Sequence, residues 1–242
     1  MKQPLISVIT ITFNAESVLP ATIRSIMQQT FDDFEHVVID GASSDKTLDI
    51  ARTNPSARIL SEPDNGLYDA MNKGIDMARG KYILFLNAGD AFRSSDTLSR
   101  YAQRALKGDD IIYADTMIVD AAGNDKGPRH HTAPEVLTFK SFSKGMLVCH
   151  QAFMVKKEIA PEYDLQYRFS ADYDWTIRCI KATEPGKCTN LHFNAINYLS
   201  DGLTDRNHFK SLRERYRIMS HHYGSLPTLA HHIRLILGKL IK

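Results

Sequence analysis

The sequence is poor in features that mark several classes of protein. Its 242 residues include three cysteines, Cys149, Cys179 and Cys188, whose spacing fits neither a metal site nor a redox motif. We therefore expect reduced thiols in a reducing, cytoplasmic compartment. The first apolar segment spans about ten residues, too short for a secretory signal. No apolar run reaches the roughly 18 residues of a membrane span, which predicts a soluble or peripheral protein.

A large excess of one charge is also missing, because the net charge is only +2. The balance is nevertheless uneven. Residues 206–242 hold eight Lys or Arg and one acid, whereas the 205 residues before them hold 22 basic and 27 acidic side chains. In a nucleic-acid-binding protein, the basic surface coincides with the folded reading surface. The mildly acidic body therefore predicts that nucleic acid is not a partner.

Two glycine motifs for phosphate binding are absent as well. The first predicted strand is not followed by G-x-G-x-x-G, and G-x-x-x-x-G-K-[ST] does not occur. These absences argue against a dinucleotide-binding fold and against a P-loop. The strand ends instead in Thr12-Phe13-Asn14.

What the sequence does contain is a regular alternation of strand and helix patterns. Apolar, β-branched segments predict strands at 5–12, 36–40, 58–62 and 81–87, and helical spacing predicts helices at 17–29, 44–52 and 68–78. Such alternation is typical of βαβ units. We therefore predict an α/β fold in which a mainly parallel sheet lies between two layers of helices.

The second half is less regular. Strands are predicted at 110–114, 116–120 and 151–155, a turn at 122–124, and helices at 172–181, 207–223 and 227–242. The later strands are expected to add antiparallel members to the sheet. Paired histidines such as His221-His222 lack zinc-site spacing and are expected on the surface or at helix ends. We predict two parts, a catalytic domain over 1–205 and a basic helical extension over 206–242.

Polar segments follow each of the first four predicted strands. They occupy residues 12–14, 40–45, 62–66 and 87–90. Carboxyl ends of parallel strands meet at one edge of a sheet, where ligands bind. The four segments together predict a nucleotide-sized cleft, although each alone is also typical of an ordinary turn.

Several of these segments resemble a known family. SVITITFN, VVIDGASSDKT, SEPDNGLYDAMNKGIDMARGKYILFLNAGD and FSADYDWTIRC are similar to the family 2 glycosyltransferases of the GT-A fold, and most similar to the colanic acid, exopolysaccharide or glycolipid branch. The resemblance covers about residues 5–205. It implies a three-layer, nucleotide-diphospho-sugar transferase fold. It also implies inverting, hexosyltransferase-type transfer from a nucleotide-sugar donor, a UDP-sugar, to a hydroxyl of a polysaccharide repeat unit or glycolipid.

The resemblance also implies a donor site. Thr12, Phe13 and Asn14 would line the nucleoside pocket, and Asp40 would accept a hydrogen bond from uracil N3–H, which needs a pure acceptor. Capping or turn formation is the alternative for Asp40. The remaining donor-binding candidates are Asp64, Asn65, Asp69, Asn72, Lys73 and Asn87. The stretch 64–73 is alternatively an amphipathic helix with a solvated polar face.

The metal motif departs from the family pattern. Where many relatives have Asp-x-Asp-Asp, this chain has Asn87-Ala88-Gly89-Asp90, which leaves one carboxylate. Mg²⁺ or Mn²⁺ held by Asp90 would need substrate phosphates and water to complete its coordination, so we expect weak binding without donor. The alternative is that Asp90 is a turn residue.

The catalytic base implied by the resemblance is Asp172, at the start of a predicted helix. One carboxylate that accepts the proton of the acceptor hydroxyl suffices for direct displacement. Asp174 is a nearby rival, and helix capping is the alternative for either residue. His150 and Gln151 match a His-Gln pair that faces the active site in this branch.

The last segment, 226–242, places Leu229, Ile233, Ile236, Leu237 and Leu240 on one helical side, with basic residues elsewhere. A basic amphipathic helix predicts peripheral contact with the inner face of the cytoplasmic membrane, and thus with a lipid-linked acceptor. Packing on the body or in a dimer is the alternative. A sugar nucleotidyltransferase and a non-catalytic nucleotide-sugar-binding protein remain alternative functions.

Overall fold

The computed structural model describes residues 2–200 and 208–240. The predicted boundary at 205/206 therefore lies outside the described residues. The described strands are β1 (Ile6–Thr12), β2 (Phe34–Asp40), β3 (Ala57–Ser61), β4 (Tyr82–Phe85), β5 (Ala91–Phe92), β6 (Ile111–Val119), β7 (Asp125–Pro128), β8 (Phe153–Lys156) and β9 (Cys188–Leu199). They form one mixed sheet in the order β3-β2-β1-β4-β8-β6-β9-β5, with β7 paired to β6.

The first four strands form a parallel block. β1 pairs in parallel with β2 and β4, and β2 with β3. The register opposes Thr12 of β1 to Asp40 of β2. These strands and their parallel pairing were predicted correctly, because their continuous apolar sequences suit a sheet that is covered on both faces.

The fifth strand in spatial order reverses direction. β8 is antiparallel to both β4 and β6, so the prediction of antiparallel members is confirmed. As a result, β8 begins at the edge where β1, β2 and β4 end. This reversal places the segment before β8 beside the carboxyl ends of the parallel strands.

Two sequence-based boundaries were wrong. The strands predicted at 110–114 and 116–120 are one strand, β6, because the carboxylate of Asp115 accepts a hydrogen bond from the Ala133 N–H at 2.6 Å and lets the chain continue. The strand predicted from residue 151 begins at Phe153, because His150–Ala152 form a 3₁₀ turn.

Seven α-helices are described, and none is long and apolar enough to cross a membrane. They are α1 (Leu19–Met27), α2 (Thr47–Ala51), α3 (Leu67–Met77), α4 (Thr97–Ala105), α5 (Ala171–Ala182), α6 (His208–Tyr223) and α7 (Ser225–Leu240). The sequence had not predicted α4 or strands β5, β7 and β9.

Alternate residues of each strand pack against different helices, which produces three layers. Ile9 and Ile11 of β1 belong to a core shared with α3, α5 and α6. Ile6 and Val8, which point to the other face, belong to a second core shared with α4. Because successive side chains of a strand point to opposite faces, the predicted three-layer arrangement follows. Helices α3, α5 and α6 therefore cover the same face of the sheet.

Candidate functional site

Five predicted site segments come together at one edge of the sheet. Thr12 and Asp40 end β1 and β2, Asn87 lies two residues beyond β4, and His150 precedes the reversed strand β8. Asp172 lies in the first turn of α5, on the face that α3 also covers. The carboxyl edge of a parallel sheet is the usual location of a ligand cleft.

Asp40 is fully buried and already hydrogen-bonded. Its Oδ2 accepts hydrogen bonds from the Ser43 N–H at 3.0 Å and the Ser61 hydroxyl at 2.7 Å, and its Oδ1 accepts one from the Ser43 hydroxyl at 2.5 Å. These contacts fix the loop that follows β2. Contact between Asp40 and a base would need a remaining lone pair or a rearranged Ser43.

Phe13, Gly41 and Asp64 lie close together next to Asp40. A methyl group added at Gly41 would come within 2.5 Å of Asp64 Oδ2 and 3.2 Å of the Phe13 ring. The Phe13 side chain is 63% exposed, which leaves a ring available for stacking on a planar ligand. A side chain larger than glycine at residue 41 would fill this space.

Asn14 joins the loops after β1 and β2. Its backbone N–H donates to the Ser43 hydroxyl at 2.8 Å, and its side-chain Oδ1 accepts from the Ser44 N–H at 3.0 Å. The neighbouring Thr12 hydroxyl is buried without a hydrogen-bond partner among the described residues. An unsatisfied buried hydroxyl costs free energy, so a ligand contact there would be favourable.

The polar candidates on and before α3 are mostly used within the fold. Asp69 accepts a hydrogen bond from the Asn65 N–H at 2.9 Å, and the Lys73 ammonium pairs with Glu62 at 2.9 Å. Both the nitrogen and the oxygen of the Asn72 amide bond the backbone of residue 163, at 3.0 and 2.7 Å. Asn72 thus ties α3 to the segment before α5.

Asp172 is the centre of a chain of polar contacts. Tyr68, on α3, donates its hydroxyl to Asp172 Oδ1 at 3.1 Å, and His150 Nδ1 lies 3.4 Å from Asp172 Oδ2. The Nδ2 of Asn87 lies 3.4 Å from His150 Nε2. An amide nitrogen is a donor only, so this arrangement assigns the ring proton to Nδ1, facing Asp172. The Tyr68 contact was not predicted from the sequence.

The Asp172 carboxyl is kept ionised. Burial acts to raise its pKa, but the hydrogen bond and charge of His150, the charge of Arg215 and the Tyr68 hydroxyl outweigh burial, so the pKa lies below its ordinary value. The side chain keeps 23% of its surface exposed. An ionised, accessible carboxylate can accept a proton from a bound hydroxyl.

Asp90 is less available. It is 5% exposed, its Oδ2 accepts from Gln151 Nε2 at 2.9 Å, and its Oδ1 accepts from the Leu199 N–H at 3.0 Å. Burial raises the pKa of Asp90 to about 7. Gln151 in turn accepts the Cys149 thiol at 2.7 Å. Asp90 and Gln151 therefore connect β9, β8 and the segment after β4.

This set of side chains does not fit a metal held by the protein alone. Within 2–200 and 208–240, no group of three or more His, Cys, Asp or Glu side chains could hold an ion. Both oxygens of Asp90 are hydrogen-bonded, and the buried Oδ1 of Asn87 is the one unpartnered oxygen beside them. The prediction of a divalent metal at Asp90 receives no support from these donors.

Asp174 lies two residues after Asp172, about half a turn around α5, in a different environment. It is 5% exposed and accepts hydrogen bonds from Arg178 Nε at 2.6 Å and His222 Nε2 at 2.7 Å. His222 is 3% exposed and lies in the last turn of α6, so of its two predicted places it takes the helix end and not the surface. The other ring nitrogen of His222 contacts the Lys181 ammonium at 2.9 Å. These contacts identify Asp174 as a link between α5 and α6, which disfavours it as the rival base.

Helix α6 also holds the segment that leads into α5. Glu214 accepts hydrogen bonds from the backbone N–H groups of Arg168 and Phe169 at 2.9 and 2.8 Å. The hydroxyls of Ser170 and Ser211 lie 2.9 Å apart, and both residues are buried. The approach to Asp172 is thus fixed by a helix that the sequence had placed in an extension.

Comparison with solved structures identifies the class of fold. The chain superimposes on S. aureus TarS 1–349 with a TM-score of 0.72 at 18% identity, covering 95% of this chain and 72% of that one. It also superimposes on the mannosyltransferase PcManGT from Pyrobaculum calidifontis, crystallised with GDP-Man and Mn²⁺, with a TM-score of 0.55 at 15% identity over 95% and 74%. The predicted GT-A fold is confirmed.

Sequence comparison gives the family. The profile of Glycosyl transferase family 2 matches residues 7–163. A PGL/p-HBAD biosynthesis glycosyltransferase of Mycobacterium tuberculosis is 36% identical over 231 residues, which cover 88% of this chain and 85% of that protein. A glycosyltransferase of Methanocaldococcus jannaschii is 31% identical over 193 residues, or 74% and 66% of the two chains. The chain belongs to glycosyltransferase family 2, whereas the colanic acid branch stays a prediction.

Proposed function

We propose that this glycosyltransferase transfers a hexose with inversion from a UDP-sugar to a hydroxyl of a polysaccharide repeat unit or glycolipid. The observation that carries the proposal is the ionised Asp172, held by Tyr68 and His150 at the edge where the candidate nucleoside pocket lies. TarS, which shares the fold, has been crystallised with UDP and with UDP-GlcNAc. PcManGT was crystallised with a GDP-sugar.

The proposed reaction is a single displacement. The acceptor oxygen forms a bond to the anomeric carbon while the bond from that carbon to the diphosphate oxygen breaks, and the diphosphate leaves with the bonding electrons. Asp172 accepts the proton of the acceptor hydroxyl. His150, protonated at Nδ1, orients the carboxylate, and Tyr68 holds its other oxygen. A positioned base of this kind contributes about 10²- to 10⁴-fold to the rate.

The donor pocket is proposed at the ends of β1 and β2. The exposed Phe13 ring would stack on the base, and the unpartnered Thr12 hydroxyl would gain a partner on binding. Asp64 lies close to Phe13 across Gly41 and is placed to contact the ribose. Asp40 organises this pocket through Ser43, and its own contact with uracil stays a prediction.

The experiment for the function is a panel of nucleotide sugars. Thermal unfolding with each of UDP-glucose, UDP-GlcNAc and GDP-mannose ranks the donors, because a ligand that binds the folded state raises its apparent stability. Donor consumption is then measured as released nucleotide diphosphate, with Mn²⁺ and with EDTA. Dependence on Mn²⁺ would support the predicted metal, even though both oxygens of Asp90 are hydrogen-bonded within the fold. Affinity for a donor without turnover in any condition would favour the non-catalytic binding protein, and pyrophosphate release from a nucleoside triphosphate would favour the nucleotidyltransferase.

Helix α7 supports a second, narrower proposal of peripheral contact with the membrane through residues 226–242. Leu226 is 81% exposed, Leu229 46% and Ile233 47%, at positions that share one side of the helix. The side chains of Ile236, Leu237 and Leu240 lie outside the described part. A helix whose apolar side faces solvent can bind a membrane interface.

A triple variant tests this contact in the full chain. Replacing Leu226, Leu229 and Ile233 by serine should reduce co-sedimentation with anionic liposomes. Val136→Ser serves as the control, because Val136 is 68% exposed on a different segment. Equal, negligible sedimentation of the original and triple-variant proteins would remove the proposal.

A further inference from the structure

Two arginines near the proposed base have N–H groups that nothing in the described structure satisfies. Arg129 Nη1 and Arg215 Nε are both buried, and neither has a hydrogen-bond partner among the described residues. A buried donor left without a partner costs free energy, and a charged donor costs more than a neutral one. Such donors in a native protein call for an explanation, and an absent anionic ligand is one.

Both arginines are attached to well-fixed parts of the chain. Arg129 follows β7, its backbone N–H donates to the carbonyl of Thr116 within β6, and its Nη2 donates to the carbonyl of Met146 at 3.0 Å. Arg215 follows Glu214, whose carboxylate is held by the two backbone N–H groups before α5. Neither guanidinium therefore depends on a ligand for its place.

The contacts of both arginines lead to the region of the proposed base. Arg129 donates to a carbonyl four residues before His150. Arg215 lies one turn after Ser211 in α6, and the Ser211 hydroxyl contacts the residue that precedes α5. The charge of Arg215 also helps to lower the pKa of Asp172. Both arginines are therefore attached close to the contact between His150 and Asp172.

The sheet separates these arginines from the candidate nucleoside pocket. The pocket lies at the ends of β1 and β2, whereas Arg129 follows β7, which pairs with β6 on the side that β8 also occupies. Three strand spacings of about 4.8 Å therefore separate β2 from Arg129, or roughly 14 Å along the sheet. His150 precedes β8 and contacts Asp172, so an anion bound by the arginines would lie beside the base rather than in the nucleoside pocket.

We propose that Arg129 and Arg215 bind a phosphate group of the acceptor, next to the hydroxyl that Asp172 deprotonates. The proposal rests on the proposed transferase function and narrows its acceptor to a phosphate-bearing molecule. A guanidinium group suits this purpose because its planar set of donors matches phosphate oxygens. Binding would supply the partners that the two buried N–H groups lack.

The test measures phosphate binding separately from donor binding. With UDP saturating, isothermal titration follows the binding of farnesyl diphosphate, a lipid diphosphate, and of inorganic pyrophosphate, the same anion without lipid. Arg129→Gln and Arg215→Gln should each weaken farnesyl diphosphate about tenfold or more, as expected for the loss of a charge-assisted hydrogen bond. UDP affinity should stay within about twofold. Arg213→Gln is the matched control, since Arg213 is on the same helix and exposed.

Each outcome decides the proposal. Parallel weakening of both probes in the variants supports recognition of the phosphate itself, and tighter binding of farnesyl diphosphate than of pyrophosphate by the original protein supports a lipid-linked acceptor. Three results would overturn the proposal: unchanged binding in both variants, no binding of either probe to the original protein, or an equal loss of UDP affinity. The third result would assign the arginines to the donor. If a glutamine variant does not fold, the corresponding lysine variant, which keeps the charge and loses the planar donors, should still weaken binding. Failure of the original protein to bind any nucleotide would instead refute the proposed function.

Discussion

Replacing Asp174 by asparagine removes the charge at the centre of the contact between α5 and α6. The carboxylate is 5% exposed and bonds both Arg178 and His222, and His222 is itself 3% exposed. An asparagine keeps the shape but offers one acceptor where two donors converge. One buried donor is then left opposite an amide N–H group.

The expected loss of stability is large for a single substitution. Removing one partner of a buried ion pair costs about 3–5 kcal/mol, and the retained acceptor favours the lower end of that range. For a protein of this size, each kcal/mol shifts Tm by about 2–4 °C, so we expect a decrease of roughly 6–12 °C. Asp96→Asn is a matched control, because Asp96 also pairs with an arginine four residues on, at 2.8 Å, but both side chains are nearly half exposed. Asp96→Asn should lower the free energy of unfolding by only about 0–1 kcal/mol.

The pH dependence of stability tests the contribution of Asp174 independently. Burial acts to raise the pKa of Asp174, but the hydrogen bond from His222 and the charge of Arg178 outweigh it and lower the pKa. A carboxyl whose pKa is lower in the folded state stabilises the fold above the unfolded pKa of about 3.9, and loses that contribution as the pH falls through the folded value.

Urea unfolding at several pH values measures both effects. The difference in free energy of unfolding between the original protein and Asp174→Asn should be complete at pH 7 and should shrink below about pH 4. A difference of less than about 1 kcal/mol at pH 7, similar to that of Asp96→Asn, would refute the assignment of Asp174 as a buried link between the helices.

Two further substitutions test the site and the core. His150→Gln removes a group that lowers the pKa of Asp172, so the acidic limb of the kcat–pH profile should move to higher pH, and an unmoved limb would contradict the contact between the two side chains. Gly80→Ala would place a methyl group 2.5 Å from the backbone nitrogen of Ser7; overpacking against rigid backbone should cost about 1–3 kcal/mol in urea unfolding, and an unchanged midpoint would contradict this close approach.

The sequence predicted the parallel half of the fold well, because its strands are nearly continuous apolar segments. It missed β9, whose sequence CTNLHFNAINYL mixes polar and apolar residues and leaves much of the strand only partly buried. Its pairing along β6, which shifts register around Asp115, supplies the stabilisation that local sequence does not show. Helix α4 did carry a signal, since Leu98, Tyr101, Ala102 and Ala105 recur at helical spacing and are all buried.

The sequence predicted which residues belong to the candidate site better than it predicted the contacts between them. Motif resemblance gave Asp172, His150 and Asp90, and the structure brings the segments that carry them to one edge of the sheet. The contacts from Tyr68 and Glu214 join residues 104 and about 45 positions apart in the chain. No local pattern marks such contacts, because they arise when separate helices pack on the same face.

The rate of sugar transfer by the Asp172→Asn variant tests most directly the central claim that this carboxylate is the base. With the preferred UDP-sugar and acceptor, kcat should fall about 10²- to 10⁴-fold, while the affinity for UDP stays within about twofold. Asp164→Asn, a partly exposed position before α5, should leave kcat unchanged. Turnover by Asp172→Asn at the original rate, with donor binding intact, would contradict the account.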